Sequence, residues 1–218
     1  MKPLYALPVA ALTAALFLAG CSDPADQVHK SSASAPETAA TGAAPAAKEY
    51  AIHPDSKIDF VGSKVTGKHD GGFRKFSGVI KVADGKVTGA SEIKIDMTST
   101  WSDTDRLTGH LKSPDFFDIQ KFPVSTFTVT GIEPDADGKH NVTGNLELHG
   151  VTRSISFPAQ ISVADDAVKF NAEFAINRKD FNINYPGKPN DLIRDNVVIK
   201  LALSATSGPA QAQIESAN

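Results

Sequence analysis

The side chains best suited to proton transfer lie in one short segment, Asp105-Arg106-Leu107-Thr108-Gly109-His110. Asp105 and His110 could act as the acid and the base of a hydrolase. Together with Arg106 and the more distant His69, they could instead bind a polar headgroup or gate an opening. Helix capping and surface ion pairing are the simpler interpretation, since an acidic side chain at a helix start suits the helix dipole.

Sequence motifs for catalysis are missing around these residues. The chain has no Gly-x-Ser-x-Gly elbow, no His-Glu-x-x-His pair and no phosphate-binding glycine loop. Its histidines are scattered without the spacing of metal ligands. We therefore predict no catalytic residue, no metal site and no cofactor.

The single cysteine, Cys21, ends a segment that resembles an export signal. Lys2 and an apolar run over Leu4–Leu18 precede Ala19-Gly20, and so short a run is typical of a secretory signal rather than a membrane span. The Leu-Ala-Gly-Cys pattern resembles a lipobox, in which the thiol is acylated before cleavage. We expect a signal peptide at residues 1–20 and lipidation of Cys21. An ordinary signal peptide with an incidental cysteine is the alternative.

A lone thiol in an exported chain supports lipidation, because it can form no disulfide and acylation would consume it. Two or three acyl chains hold a protein on a bilayer where one does not. Ser22, which stands where some lipoproteins carry aspartate, is typical of sorting to the outer membrane. The predicted location is the periplasmic side of a membrane, with the outer membrane favoured.

Composition divides the remaining chain into a tether, one domain and a tail. Residues 21–48 are rich in Ala, Ser, Thr and Pro, and a segment so poor in large apolar side chains is expected to be disordered. Random-coil scaling gives such a tether a reach of roughly 30 Å. Residues 49–207 form the predicted domain, and residues 208–218 a disordered tail. The net charge of −3 argues against a nucleic-acid partner.

Apolar and polar residues alternate with a period of two through most of the domain, as over Ile155–Val163. This period predicts half-buried strands. Weaker strands are expected over Lys57–Thr66, Phe73–Val82 and Val124–Ile132, and helical periodicity appears only around Asp103–Lys112. The pattern predicts an all-β fold, which we interpret as an eight-stranded antiparallel β-barrel with one short helical segment capping it. A two-sheet sandwich also satisfies the alternation.

The apolar face of these strands would line the inside of the barrel. An eight-stranded barrel either encloses one small ligand or is filled by its own side chains, and the pattern leaves both open. Glycines within the strands, such as Gly62 and Gly144, mark bends or leave clearance for a ligand. The predicted ligand-binding residues are Phe60, Phe76, Ile93, Ile95, Met97, Leu146, Leu148, Phe157, Ile161, Phe170, Phe174, Ile176, Ile199, Leu201 and Leu203.

Three ordered motifs resemble those of the YceI-like family. The central one is His110-Leu111-Lys112-Ser113-Pro114-Asp115-Phe116-Phe117-Asp118. The second is Gly144-Asn145-Leu146-Glu147-Leu148-His149-Gly150-Val151-Thr152, and the third is Phe174-x-Ile176-x-Arg178-x-Asp180-Phe181. The resemblance spans roughly residues 50–205, which is the whole predicted domain.

The resemblance implies a lipocalin-like barrel that binds a long apolar ligand, such as a polyisoprenoid, an isoprenoid quinone or a fatty amide. It implies no catalytic residues. The segment Asp55–Val65 lacks the histidines that are usual in the first strand of the family, and the loop after it carries Lys68, His69 and Asp70. We therefore expect a headgroup preference that differs from that of relatives.

The favoured function is that of an envelope lipoprotein that carries or stores such a lipid, with the lipid and the membrane as its partners. One alternative is a binding or stress-response module that contacts a membrane partner such as a quinone-linked cytochrome. A hydrolase that acts on the bound lipid is the less favoured alternative. Assembly as a homodimer is compatible with each of these functions.

Overall fold

The computed structural model describes residues 22–38, 47–89, 91–135 and 138–207; Cys21, the predicted signal peptide and the predicted tail lie outside the described residues. The strands are β1 His29–Lys30, β2 Lys48–Ile52, β3 Lys57–Lys64, β4 Gly67–Phe73, β5 Phe76–Ala83, β6 Lys86–Val87, β7 Glu92–Asp96, β8 Thr100–Ser102, β9 Val124–Pro134, β10 His140–Leu148, β11 Val151–Val163, β12 Ala167–Asn177, β13 Gly187–Lys188, β14 Asp191–Leu192 and β15 Asn196–Ser207. The helices are α1, Asp105–Leu111, and the 3₁₀-helices Pro24–Gln27, Met97–Ser99 and Arg178–Phe181. None of the helices in these ranges is long and apolar enough to cross a membrane.

The long strands close into an eight-stranded antiparallel barrel, which confirms the predicted fold class. Bends divide three barrel strands, so that β2 with β3, β4 with β5, and β7 with β8 each form one strand of the barrel. The undivided barrel strands are β9, β10, β11, β12 and β15. β15 closes the circle, because one of its edges pairs with β12 and the other with β2 and β3.

Alternation along each strand separates the interior of the barrel from its outer face. On β11, Ile155, Phe157 and Ala159 are buried, whereas Thr152, Gln160 and Ser162, which have the opposite parity, are exposed. A strand with one apolar face gains stability only when that face is covered. Closure of the barrel covers this face on every strand at once.

The helix α1 lies where helical periodicity was predicted. Thr104 is its N-cap, and the Thr104 hydroxyl oxygen accepts a hydrogen bond from the backbone N–H of Leu107 at 3.3 Å. Asp105 follows in the first turn, where a carboxylate suits the helix dipole. The helix therefore begins two residues later than the predicted Asp103.

The two ends of the barrel are built differently. At one end, which we call the closed end, a short turn joins β11 to β12 with a hydrogen bond from the N–H of Ala164 to the carbonyl of Ala167 at 2.8 Å. At the other end, which we call the open end, α1 and a loop lead from β8 to β9. A second long segment, which carries β13 and β14, leads from β12 to β15. Two long segments therefore cover the barrel at its open end.

Residues 22–38, which we call the strap, lie on the barrel wall where the sequence predicts a disordered tether. Ala25 in the strap is 0% exposed and packs with Val61, Ala175 and Val198 on the outer face of the barrel. The prediction from composition fails here because small side chains and backbone hydrogen bonds dock the strap. Small side chains and backbone hydrogen bonds add nothing to the content of large apolar residues from which order or disorder is predicted.

The strap fills a gap in the barrel wall. β11 and β12 pair only from Ala159 opposite Ala172 to Val163 opposite Val168, near the closed end. Towards the open end the two strands separate, and the strap lies between them. We call this place the β11–β12 seam.

Hydrogen bonds fix the strap on both sides of the seam. On one side, β1 pairs in parallel with β12, and the N–H of Ser31 donates to the carbonyl of Ala175 at 2.8 Å. On the other side, the Ser31 hydroxyl donates to the carbonyl of Ser156 at 2.6 Å, and Ser34 forms a backbone bridge with Ser154. The strap is thus an additional strand of the wall at this level of the barrel.

Candidate functional site

An apolar cavity of about 170 Å³ occupies the open half of the barrel. Most of the residues predicted to bind a ligand line it, namely Phe60, Ile93, Ile95, Met97, Leu146, Leu148, Phe157, Phe174, Ile176, Ile199 and Leu201. These side chains come from strands all around the barrel. The alternation of the sequence therefore identifies the face that surrounds the cavity.

Four other residues from the same prediction, Phe76, Ile161, Phe170 and Leu203, do not line the cavity. They belong to the packed core that fills the closed half of the barrel. The physical reason is a floor of aromatic rings: Phe157 stacks on Phe174 with the ring centroids 3.9 Å apart and the planes 2° from parallel. Side chains below this stack have inward positions, but they contact each other rather than open space.

Among the described residues that line the cavity, only Ser125 and Arg178 have polar side chains. The hydroxyl of Ser125 donates to the carbonyl of Glu147 at 2.5 Å. It is therefore already satisfied by the protein. A ligand in this cavity meets hydrocarbon almost everywhere.

Arg178 is buried, with 4% of its surface exposed, and is held by the segment that leads to β15. Its guanidinium donates to the carbonyl of Ile183 at 2.6 Å, to that of Arg194 at 3.1 Å and to Asp195 Oδ1 at 3.3 Å. Burial lowers the pKa of Arg178 below its ordinary value, and the nearby Asp195 carboxylate opposes this shift. The guanidinium thus ties the covering segment to the barrel wall.

Aromatic side chains from the loop after α1 cover the cavity at the open end. Phe116 and Phe117 both line it, and the ring of Phe117 lies 6.3 Å from Phe60 and 5.9 Å from Phe73. Phe116 and Phe117 are absent from the predicted ligand-binding residues, because they stand in a loop and alternation selects only strand residues. Their adjacency after Pro114 was the available sequence signal.

A second, more open cavity of about 530 Å³ lies between the apolar cavity and solvent, and we call it the vestibule. Phe60, Gly62, Leu111, Phe116 and Ile193 line both spaces. The two cavities are therefore adjacent sections of one path. This path leads from the open end into the barrel.

The predicted headgroup or gate residues are distributed unevenly around the vestibule. His69, Arg106 and His110 line it, whereas Asp105 does not. The ring of His69 is hydrogen-bonded through Nδ1 to Asp103 at 3.0 Å, and His110 Nε2 lies 2.8 Å from Asp115 Oδ2. The carboxylate beside His110 is therefore Asp115, and Asp105, the other acid–base candidate, lies outside the vestibule wall.

Two strand glycines serve opposite purposes in the barrel. At Gly144 an added Cβ would lie 2.4 Å from the ring of Phe127, so the absence of a side chain makes room for that ring. At Gly62 an added Cβ would meet no atom within 4 Å. Gly62 therefore leaves open space at the passage between the vestibule and the apolar cavity.

The dimensions of the apolar cavity limit what it can hold without rearrangement. An apolar cavity of about 150 Å³ is known to stay dry and to accept a benzene-sized molecule. The cavity here thus accommodates a ring or a short stretch of hydrocarbon chain. A longer chain would extend through the vestibule or displace Phe116 and Phe117.

Comparison with known proteins gives one family and several relatives. The profile of the YceI-like domain matches residues 50–205. A UPF0312 protein of Pseudomonas putida strain W619 is 32% identical over 155 residues, which are 65% of this chain and 79% of the relative. Protein YceI of Salmonella arizonae is 32% identical over 157 residues, which are 66% of this chain and 80% of the relative.

Two solved structures share the barrel. The crystal structure of BcnA from Burkholderia cenocepacia matches with a TM-score of 0.63 at 27% identity, over 69% of this chain and 96% of BcnA. A polyisoprenoid binding domain from Saccharophagus degradans, implicated in plant cell wall breakdown, matches with a TM-score of 0.61 at 19% identity. That match covers 74% of this chain and 99% of the domain.

Proposed function

The chain belongs to the YceI-like family, and on this premise we propose that it is an envelope lipoprotein that binds a long apolar lipid inside its barrel. The lipid would be a polyisoprenoid, an isoprenoid quinone or a fatty amide, held for carriage or storage. Cys21 would carry the acyl anchor on the periplasmic side of a membrane, with the outer membrane favoured by Ser22. The family is one of binding domains, which is consistent with a role other than catalysis.

The observation that carries lipid binding is the chemistry of the cavity wall. Aliphatic and aromatic side chains surround the space, and the polar atoms of Ser125 and Arg178 are bonded within the protein. A polar ligand group would lose its hydrogen bonds to water and find no replacement there. An apolar chain loses nothing of this kind and gains by leaving water.

The path from the vestibule to the cavity supports a ligand with two different ends. His69, Arg106 and His110 surround the outer section, whereas hydrocarbon surrounds the inner one. An apolar chain with a small polar head fits this order. The barrel fold shared with the polyisoprenoid binding domain of Saccharophagus degradans is consistent with this class of ligand.

The ligand is tested by extracting the protein, purified from membranes in mild detergent, with organic solvent and analysing the extract by mass spectrometry. We expect one long-chain lipid in near-stoichiometric amount. Radiolabelled undecaprenol is then added to delipidated protein, and binding is read from co-elution of the label with the protein in size-exclusion chromatography. Absence of both a co-purifying lipid and undecaprenol binding would refute lipid binding.

A variant that blocks the passage distinguishes the barrel interior from adventitious surface binding. Gly62→Phe places a ring where an added Cβ meets no atom within 4 Å, so the wall need not move. We expect loss of the co-purifying lipid with little change in stability. Gly131→Phe is the matched control, since Gly131 has equal room for a Cβ and lines neither cavity. Equal lipid content in the two variants would place the lipid elsewhere.

The anchor is tested separately from the ligand. Cells grown with radiolabelled palmitate should yield a labelled protein, and Cys21→Ser should abolish the label. The same substitution should leave the barrel folded, because Cys21 precedes the domain. Persistence of the palmitate label in Cys21→Ser would show that the anchor has been assigned to the wrong residue.

A further inference from the structure

The strap begins at the open end of the barrel. Asp23 is buried, and its Oδ1 accepts hydrogen bonds from the N–H of Ala25 at 3.0 Å and from the Ser63 hydroxyl at 3.3 Å. Its Oδ2 lies 3.6 Å from Arg194 Nη1. Ser63 lines the vestibule. The first contacts within the described part of the chain are therefore made beside the entrance to the barrel.

This docking changes the distance between the proposed anchor and the domain. Cys21 precedes Asp23 by two residues, and consecutive Cα atoms are 3.8 Å apart, so their Cα atoms are separated by at most about 8 Å. A disordered tether over residues 21–48 would instead allow roughly 30 Å. A lipid attached to Cys21 would start close to the vestibule.

The surface next to this point is apolar. Val65 and Leu192 are 54% and 50% exposed, and with Val124 at 50% they are the most exposed large apolar side chains among the described residues. The N–H of Val65 donates to the carbonyl of Leu192 at 3.2 Å, which places the two residues side by side. Val65 follows Ser63 by two residues, and Leu192 precedes Arg194 by two residues. Ser63 and Arg194 both contact Asp23. We call the pair Val65 and Leu192 the rim.

Lysines surround the rim. Lys68 lies opposite Ser63 in the β3–β4 hairpin, and Lys188 lies opposite Asp191 in the β13–β14 pair. Both are exposed, and no carboxylate within the described ranges forms an ion pair with either. Exposed apolar side chains flanked by lysines are suited to the boundary between acyl chains and anionic headgroups.

We propose that the rim is seated in the bilayer surface, so that the open end of the barrel faces the membrane to which the protein is anchored. The inference rests on the proposed acylation of Cys21 and on lipid binding in the barrel. The strap holds the anchor beside the rim, and Val65 and Leu192 enter the interface while Lys68 and Lys188 contact lipid phosphates. A lipid can then pass from the bilayer through the vestibule into the cavity without crossing bulk water.

The orientation is tested with the full acylated protein in vesicles of phosphatidylethanolamine and phosphatidylglycerol. Acylation consumes Cys21, so an introduced cysteine is the sole free thiol and takes a nitrobenzoxadiazole label. Labels are placed in V65C and L192C at the rim, in V124C and in T206C. Val124 matches the rim in exposure and also lies at the open end, but it is on β9, across the barrel from β15, so a barrel seated through the rim holds it farther from the bilayer. Thr206 lies near the closed end.

We expect labels at the two rim positions to be quenched by nitroxide-bearing lipids several-fold more than those at V124C and T206C, and to be shielded from aqueous iodide. Equal iodide access at all four positions, in protein that floats with the vesicles, would overturn the orientation alone. Failure of the wild-type protein to float would refute the anchor and with it the orientation. Lipid content is measured on the same samples by mass spectrometry, so that ligand binding is judged independently.

A strap variant tests the cause of the orientation. Ala25→Glu introduces a charged side chain where Ala25 is fully buried and should release the start of the strap from the outer face. We expect Ala25→Glu to float with vesicles as before, while shielding of the rim falls to the level at V124C. Undiminished shielding in this variant would show that the strap does not orient the barrel.

Discussion

The open and closed halves of the barrel share the same strands and the same inward alternation, but only the open half holds a cavity. Leu201 and Leu203 show the contrast on one strand, since both point inward and only Leu201 lines the cavity. In the closed half, neighbouring strands stay paired and Phe170 packs beneath the stack of Phe157 on Phe174. In the open half, β11 and β12 separate, and long segments lead from β8 to β9 and from β12 to β15.

The polarity of the lining therefore does not explain the cavity, whereas the cavity lies in the half where β11 and β12 are not paired with each other. Both halves are lined by large apolar side chains. Where neighbouring strands of the wall separate, side chains of the same size no longer meet across the interior of the barrel. A binding space in this fold therefore depends on the strap and the loops that hold the wall apart.

The largest expected contrast is between two truncations on β15. Leu203→Ala should lower the free energy of unfolding by about 3 kcal/mol, because it opens a new cavity in a packed core. Leu201→Ala enlarges an existing cavity and should cost only about 1–2 kcal/mol. Urea denaturation of both variants measures the difference. Equal losses would show that the open half is as tightly packed as the closed half.

A smaller loss of stability is expected from a substitution in the segment between β12 and β15, which covers the open half. Arg178→Ala removes donors from the carbonyls of Ile183 and Arg194 and should cost about 2 kcal/mol. Lys179→Ala is the control, because Lys179 also pairs with Asp195 at 2.9 Å but is exposed and should matter by less than about 0.5 kcal/mol. Thermal denaturation compares the two, and equal shifts in Tm would contradict a structural role for the buried guanidinium.

Substitutions that enlarge an inward side chain should also distinguish the two halves, with a slightly smaller change in the free energy of unfolding. Ala159→Leu adds volume to the packed closed half and should cost about 1.5 kcal/mol. Ile199→Phe adds a ring at the cavity wall and should change stability by less than about 0.5 kcal/mol while reducing the bound lipid. Calorimetry and lipid extraction report the two effects. A large loss of stability in Ile199→Phe would mean that the cavity collapses in solution.

The smallest effect concerns pH at the open end. The hydrogen bond from Lys64 lowers the pKa of Asp191, and the two side chains lie 2.5 Å apart. Because the folded-state pKa is lowered, the stabilisation is present above the ordinary aspartate pKa of about 3.9 and is lost as pH falls through the folded value. The protection factor of the Thr66 amide, whose N–H donates to Asp191 Oδ1, should therefore fall in acid once the intrinsic exchange rate has been divided out. Asp191→Asn should remove this dependence on pH.

The sequence predicts the barrel well because the geometry of an extended backbone places successive side chains on opposite faces of a strand, which gives the apolar pattern its period of two. It also identifies the inward face, as Phe60 and Ile199 illustrate. It does not separate Leu201 from Leu203, since both have the same place in the alternation. The distinction depends on the distance across the barrel, which is fixed by residues far away in the chain.

Other features were missed because their partners are main-chain groups or small side chains. The strap docks through Ala25 and Ser31, which in a composition count are indistinguishable from a disordered segment. The third family motif includes Arg178, but the carbonyl groups that hold it leave no trace in the sequence. His110 and Asp105 were the acid–base candidates from the helix, whereas the turn after α1 brings Asp115 to the imidazole of His110.

The position of the strap within the wall also determines when the barrel can be completed. Ser31 and Ser156 are separated by 125 positions along the chain, although the Ser31 hydroxyl donates a hydrogen bond to the carbonyl of Ser156. Contacts of such high sequence separation form late in folding, because the intervening loop must close first. Residues of the strap are therefore among the last to reach their native places, although they precede every barrel strand in the chain. Until they do, the seam between β11 and β12 stays unfilled.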